Sequence, residues 1–144
     1  MVSVEEIKAL QRRLFEEMNK GKTFIDVMDE FYATDLVVHG GGGQDIRGLA
    51  DYKQYVSEIL SAIADFHMTI DDMVVEGDKV AVRFTGTGTH TGEYMGAPPT
   101  NEKMTTWAIS IDRIVDGKIA ERWERTDTLG MMQQLGVVPT PKKE

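Results

Sequence analysis

The chain has 144 residues, enough for a domain with its own hydrophobic core, and we predict a single domain over residues 1–144. Its net charge of −8 argues against a nucleic-acid or anionic-membrane partner, because both bind basic surfaces. The absence of cysteine excludes disulfides and thiolate metal sites, and no apolar run approaches the roughly 20 residues that span a bilayer. The charged N-terminal segment has no signal-peptide core, so we expect a cytoplasmic protein.

The first half of the chain has helical periodicity. Apolar residues recur three or four positions apart over residues 3–19, from Phe24 to Phe31 and over residues 48–64, which predicts three helices. Between the second and third helices, Leu36–His39 predicts a brief strand that ends at the glycines of residues 40–43.

The second half changes to a period of two residues. His67–Val75 and Lys79–His90 predict two strands, and a loop over residues 91–101 leads to a hairpin of Met104–Val115 and Lys118–Thr126. A short helix that ends in glycine follows the hairpin. Helices followed by antiparallel strands predict an α+β fold. We expect a cone-shaped α+β barrel, with three N-terminal helices on a strongly curved antiparallel or mixed sheet that encloses a cavity.

The register of the last hairpin has two alternatives. A two-residue turn at Asp116-Gly117 places Ser110 and Asp112 on the same face as Trp123, whereas a three-residue loop with a bulge at Gly117 reverses the face. We prefer the second, because it gathers apolar side chains on one face as a core: Trp107, Ile109, Ile111, Ile119 and Trp123. In either register Trp123 and Asp127 share a face, provided that the strand continues through Asp127.

Two segments carry a family resemblance. GDKVAVRFTGTGTHTGEYMGAPPT (77–100) and RIVDGKIAERWERTDTLGMMQQLG (113–136) resemble the SnoaL-like polyketide cyclase family. The resemblance implies the cone-shaped fold of the nuclear transport factor 2 superfamily and ring closure of a polyketide ester by intramolecular aldol condensation, without metal or organic cofactor. It also implies that Asp127 is the general acid/base and that two copies pair through the outer face of the sheet as a homodimer.

Asp127 has two possible roles. Aspartate is a favoured helix N-cap, and Asp127 stands where the last strand gives way to the short helix. The same carboxyl group could move protons in a pocket, with Trp123 as an apolar wall that raises its pKa. The two roles are compatible, because a capping aspartate at a strand end can still face a cavity.

The remaining candidates surround the expected cavity. His39 ends the first strand beside the glycines, where it could donate to a carbonyl or orient the acid, and we predict a catalytic role for it beside Asp127. The predicted substrate-binding residues are Trp107, Trp123, His90, Tyr55, Met104 and Met131. None of the histidines has metal-ligand spacing, so we expect no metal site.

Three functions remain open from the sequence. We predict a cofactor-independent cyclase or isomerase that acts on a small apolar carbonyl-containing ligand. The alternatives are a non-catalytic module that binds such a ligand, and a hydrolase or hydratase in which Asp127 activates water.

Overall fold

A computed structural model describes residues 2–40, 44–94 and 96–139. Its elements in chain order are α1 (Val4–Met18), α2 (Phe24–Val27), β1 (Tyr32–His39), β2 (Ile46–Arg47), α3 (Leu49–Ala62), β3 (Ile63–Glu76), β4 (Lys79–His90), β5 (Lys103–Val115), β6 (Lys118–Thr126) and α4 (Thr128–Gln134). Residues 41–43 of the predicted glycine loop, and residue 95 of the second loop, lie outside the described residues. No helix in the described ranges is long and apolar enough to cross a membrane.

The six strands form one mixed sheet in the order β2-β1-β6-β5-β4-β3. All neighbours pair antiparallel except β1 and β6, which run parallel and bring Val38 opposite Arg122 and His39 opposite Trp123. The β3–β4 register shifts between Ala64 and His67 and again further along, and such bulges bend a strand. The predicted α+β cone is therefore confirmed, with an open sheet rather than a closed barrel.

The first helix shows how the helices attach to the sheet. Ser3 caps α1 by accepting a hydrogen bond from the Glu6 amide at 3.1 Å, a good start for the amphipathic pattern that follows. The buried face of α1 contributes Ile7, Leu14 and Phe15 to the main core, and Phe15 meets Phe84 of β4 edge to face at 5.4 Å. This packing leaves one face of the sheet covered by helices and the other face free.

The last hairpin combines parts of both predicted registers. Its turn has two residues, Asp116 and Gly117, with φ of 52° and 78°, as the mirror-image hairpin turns require. A bulge then places Ala120 out of register, so that Arg113 pairs with Glu121 and Ile111 with Trp123. The bulge therefore lies in β6 rather than at Gly117, and it produces the shared face of Ile109, Ile111 and Trp123 that we preferred.

That shared face is not the core, and this part of the prediction is wrong. Trp107, Ile109, Ile111 and Trp123 are 53%, 43%, 40% and 36% exposed, on the outer face of the sheet. The helices cover the opposite face, where Ser110, Asp112 and Arg122 are buried. Ile119 lies before the bulge and is buried on that inner face opposite Ile114. The prediction chose the face with more apolar side chains. The other face is buried instead, because its charged residues Asp112 and Arg122 pair with each other.

A second, smaller core closes one end of the cone. Met131 of α4 and Leu135, the residue that caps its C-terminus, pack there with Ile63 and Met104. The Gln134 side chain anchors the helix to β5, since its amide nitrogen donates to the Thr105 carbonyl at 2.7 Å and its oxygen accepts from the Thr105 amide at 2.8 Å. The space between the two cores is the cavity.

Candidate functional site

A cavity of about 490 Å³ lies between α3, the inner face of the sheet and α4. Its wall is mainly aromatic, aliphatic and methionine side chains, among them Tyr55, Ile59, Phe66, Phe84, Met104 and Met131. Tyr55, Met104 and Met131 therefore lie where the sequence predicted substrate-binding residues. Gly88 on β4 leaves room for this packing, because a Cβ there would collide with the Ile63 side chain of β3.

Tyrosine phenols supply hydrogen-bonding groups in this wall. Tyr52 packs edge to face on Tyr32 at 5.3 Å and stacks with Tyr55 at 6.1 Å. Burial raises the pKa of Tyr52 to about 12. Burial first, and the Glu124 charge second, raise the pKa of both Tyr55 and Tyr94. These phenols keep their protons near neutral pH and can donate a hydrogen bond to a ligand oxygen.

An ionic cluster underlies one side of the cavity. Arg122 Nη1 contacts the two Asp112 carboxylate oxygens at 3.2 and 3.1 Å, and Gln11 Nε2 donates to Asp112 Oδ2 at 2.8 Å. Arg122 Nη2 lies 3.5 Å from Glu124 Oε1. Arg122 therefore stands between two carboxylates on neighbouring strands.

The electrostatics of the cluster follow from its burial. Burial raises the pKa of Asp112, and Arg122 and Gln11 oppose this rise. Burial acts to lower the pKa of Arg122, but the charges of Asp112 and Glu124 outweigh it and raise that pKa well above its ordinary value. Sequence reasoning missed this cluster. The sequence pattern that could have revealed it is the alternation of Arg122 and Glu124 along β6. Asp112 is placed opposite Arg122 only once the strand register is known.

Asp127 caps α4 and follows directly on the end of β6. Strand β6 ends at Thr126, and the Asp127 carboxylate accepts a hydrogen bond from the Gly130 amide at 3.0 Å. The N-cap prediction is therefore confirmed. Thr126 and Thr128 line the cavity, whereas Asp127 between them is exposed and is not part of the described lining. Its catalytic role stays a prediction.

His39 lies on the outer face of the sheet, so its predicted position at the cavity mouth is wrong. Its neighbour Val38 points into the core, and successive side chains of a strand point to opposite faces. The His39 ring stacks on Trp123 at 5.4 Å and contacts Glu121 Oε2 at 2.7 Å and Asp45 Oδ1 at 3.0 Å. Hydrogen bonds to Glu121 and then Asp45 raise the pKa of His39, and the His39 bond lowers the pKa of Glu121.

The other three predicted binding residues lie outside the described lining. Trp107 and Trp123 belong to the exposed outer face, as described above, and the interpretation of Trp123 as a cavity wall for Asp127 is wrong. His90 is fully buried at the inner end of β4, where its Nδ1 lies 3.0 Å from Thr100 Oγ1. It holds the chain at the end of the 91–102 loop and does not line the cavity.

The fold and this site define a cone-shaped protein with a mainly apolar cavity and a carboxylate-bearing wall. The chain matches the SnoaL-like polyketide cyclase family over residues 8–135 and belongs to that family. It is 31% identical over 137 residues to aklanonic acid methyl ester cyclase DnrD of Streptomyces peucetius, covering 92% of this chain and 93% of the relative.

Solved structures agree with this assignment. The fold is similar to that of TsrD from Streptomyces laurentii, with a TM-score of 0.85 and 26% identity over 96% of this chain and 100% of that one. It is also similar to AclR from Streptomyces galilaeus, with a TM-score of 0.86 and 28% identity over 98% of this chain and 87% of that one.

Proposed function

We propose that the protein is a cofactor-independent enzyme that closes a ring in a polyketide-type ester by intramolecular aldol addition. The observation that carries the proposal is the mainly apolar cavity of about 490 Å³. Glu124 and Thr126 of β6 line it, and Asp127 is the next residue in the chain. This volume is within the range of roughly 300–1,000 Å³ that holds small organic ligands. The relative from Streptomyces peucetius is named as a cyclase of aklanonic acid methyl ester, and we transfer a methyl ester substrate of this kind to this chain.

The chemistry needs a base and an acid. The base takes a proton from a carbon that is activated by neighbouring carbonyl groups, and the resulting enolate carbon bonds to a ketone carbon of the same molecule. The ketone oxygen becomes an alkoxide, which takes a proton from the acid. The product is an isomer of the substrate, since no atom is gained or lost. The family resemblance supports Asp127 for this acid/base work, and the two residues next to it in the chain, Thr126 and Thr128, line the cavity.

A ligand-binding module is the second candidate. The observation in its favour is that Asp127 is exposed and already accepts the Gly130 hydrogen bond, as a purely structural cap would. A third candidate, a hydrolase or hydratase at the same aspartate, differs in its product, which gains one water.

The three candidates separate in one experiment. Purified protein is incubated with aklanonic acid methyl ester, and the products are followed by liquid chromatography with mass detection and by NMR. Cyclisation gives an isomer of unchanged mass with one ketone carbon converted to a carbinol carbon, at least about 10²-fold faster than in buffer. Saturable binding without conversion would favour the binding module, and a product with one added water would favour the hydrolase.

We also propose a homodimer that forms through the outer face of the sheet. Four large apolar side chains, Trp107, Ile109, Ile111 and Trp123, are exposed together on β5 and β6. Contiguous exposed apolar patches mark interaction sites, and two-fold dimers are the commonest soluble homo-oligomers. The cytoplasmic location and the absence of a cofactor stay predictions from the sequence.

A further inference from the structure

Glu124 is the most enclosed carboxylate in the wall of the cavity. Three glutamates belong to the described lining, and two of them, Glu58 and Glu93, are exposed. The Glu124 side chain is only 17% exposed. It lies on the inner face of β6, three positions before Asp127, which is not part of that lining.

The buried cluster holds Glu124 by one long ion-pair contact. Asp112 takes the two shorter contacts of Arg122, at 3.1 and 3.2 Å, whereas Glu124 has one contact at 3.5 Å. Arg122 therefore acts mainly as the counter-ion of Asp112. Among the residues that the structure describes, no hydrogen bond is directed to the Glu124 side chain, and only Oε1 lies near Arg122, so Oε2 is the oxygen that can accept a proton. The guanidinium still limits where the carboxylate can move.

Hydrogen-bond donors face the same space. Tyr55 and Tyr94 line the cavity with Glu124, and the negative charge of Glu124 contributes to the raised pKa of both phenols. A base beside protonated phenols suits a carbon acid, because the phenols can stabilise the oxygen that gains charge when the proton leaves.

We propose that Glu124 is a second proton-transfer residue, which takes the carbon-bound proton of a β-keto ester inside the cavity. The inference rests on the proposed ring closure and assigns its two proton transfers to two residues, Glu124 and Asp127. The C–H bond breaks, its electron pair enters the enolate, and the proton forms an O–H bond on Glu124. The enolate carbon then bonds to the ketone carbon, and Asp127 donates a proton to the alkoxide. Water carries the proton of Glu124 to Asp127, so the cycle balances.

Hydrogen–deuterium exchange tests the first proton step alone. The probe is methyl benzoylacetate, a β-keto ester with no second ketone for ring closure, in deuterated buffer acidic enough to slow background exchange. We expect the wild-type protein to accelerate loss of the methylene NMR signal. The Glu124→Gln variant should lose this acceleration by about 10²–10⁴-fold, and Asp127→Asn should keep it. Glu76→Gln, at the exposed end of β3, is the matched control and should behave as wild type.

Two further measurements separate a chemical role from a structural one. Glutamine keeps an oxygen that can accept from Arg122, so Glu124→Gln should bind the probe within about threefold of wild type and should melt near the wild-type temperature. Glu124→Asp restores a carboxylate and should recover part of the exchange. Exchange that persists in Glu124→Gln, or that is absent in wild type, overturns the proposal.

The two proposals fail in different ways. If the wild-type protein exchanges the probe's protons but does not convert aklanonic acid methyl ester, the proposed ring closure is contradicted and the role of Glu124 as a base stands. If ring closure persists in the Glu124→Gln variant, the role of Glu124 as a base is contradicted and the proposed cyclase activity stands.

Discussion

The Asp127 carboxylate holds the Gly130 amide at 3.0 Å and thereby starts α4, the helix that closes one end of the cavity. Gly130 makes this contact possible, because a Cβ at this position would collide with Asp127 Oδ2. The residue proposed to return a proton is thus also a structural element of the cavity. Substitutions can separate these two roles.

Asp127→Asn should lose turnover while keeping stability. Asparagine caps a helix about as well as aspartate, so the free energy of unfolding should fall by no more than about 1 kcal/mol. Loss of the exchangeable proton should lower turnover by about 10²–10⁴-fold with little change in ligand affinity. Asp127→Ala should lose turnover and about 1 kcal/mol of stability as well. Full turnover in Asp127→Asn would contradict the catalytic role and show that Asp127 serves only as the N-cap of α4.

Asp112→Ala should be among the most destabilising substitutions in the chain. It leaves the buried Arg122 guanidinium without its main partner and breaks the Gln11 hydrogen bond. Removing one partner of a buried ion pair costs about 3–5 kcal/mol, because the other charge stays in a poorly solvated site. Urea unfolding followed by circular dichroism measures the loss. The exposed Asp29, which pairs with Lys53 at 2.8 Å, is the control, and Asp29→Ala should unfold at nearly the wild-type urea concentration.

Ile109→Lys should convert the proposed dimer to a monomer. Ile109 is 43% exposed on the outer face between Trp107 and Ile111, and a lysine there would bring a charge into an apolar contact. Light scattering after size exclusion should give twice the chain mass of 16.1 kDa for wild type and the single mass for the variant. Val4→Lys, on the exposed side of α1, should remain dimeric. A monomeric wild type at micromolar concentration would contradict the prediction.

The His39 contacts should make stability depend on pH. Hydrogen bonds to Glu121 and Asp45 raise the pKa of His39 above 6.5, so the folded protein binds this proton more tightly than the unfolded chain. This stabilisation is complete below pH 6.5 and is lost as the pH rises through the raised pKa. The lowered pKa of Glu121 adds stabilisation above pH 4.5, which is lost as the pH falls through the lowered value. The contribution is therefore greatest between these two limits.

Melting curves of His39→Gln and wild type check this dependence. The difference in melting temperature should be larger at about pH 5.5 than at about pH 8.5. The variant also loses the stacking on Trp123, which is stronger for the protonated ring and therefore changes the difference in the same direction. An equal difference at both pH values would show that protonation of His39 contributes nothing to stability.

Local patterns in the sequence determined the elements and the family. Helical spacing over residues 3–19 and alternation from Lys79 to His90 were sufficient for the α+β class, and the segment at 113–136 carried the family resemblance. The cap at Asp127 was also predictable, since an N-cap depends on contacts within one helical turn. These features share a cause, because backbone periodicity and capping involve residues close together along the chain.

Tertiary structure decided which face of the sheet is inside and which carboxylate meets the cavity. Alternation separates two faces of a strand without saying which is buried, and here the outer face carries the larger apolar side chains. The helices cover the inner face although it carries charges, because the β5–β6 register brings Arg122 opposite Asp112 and their charges offset each other away from water. In the same register the Glu124 side chain faces the cavity and the Trp123 side chain lies on the outer face. Their placement depends on a one-residue bulge at Ala120, which no local pattern in the chain marks.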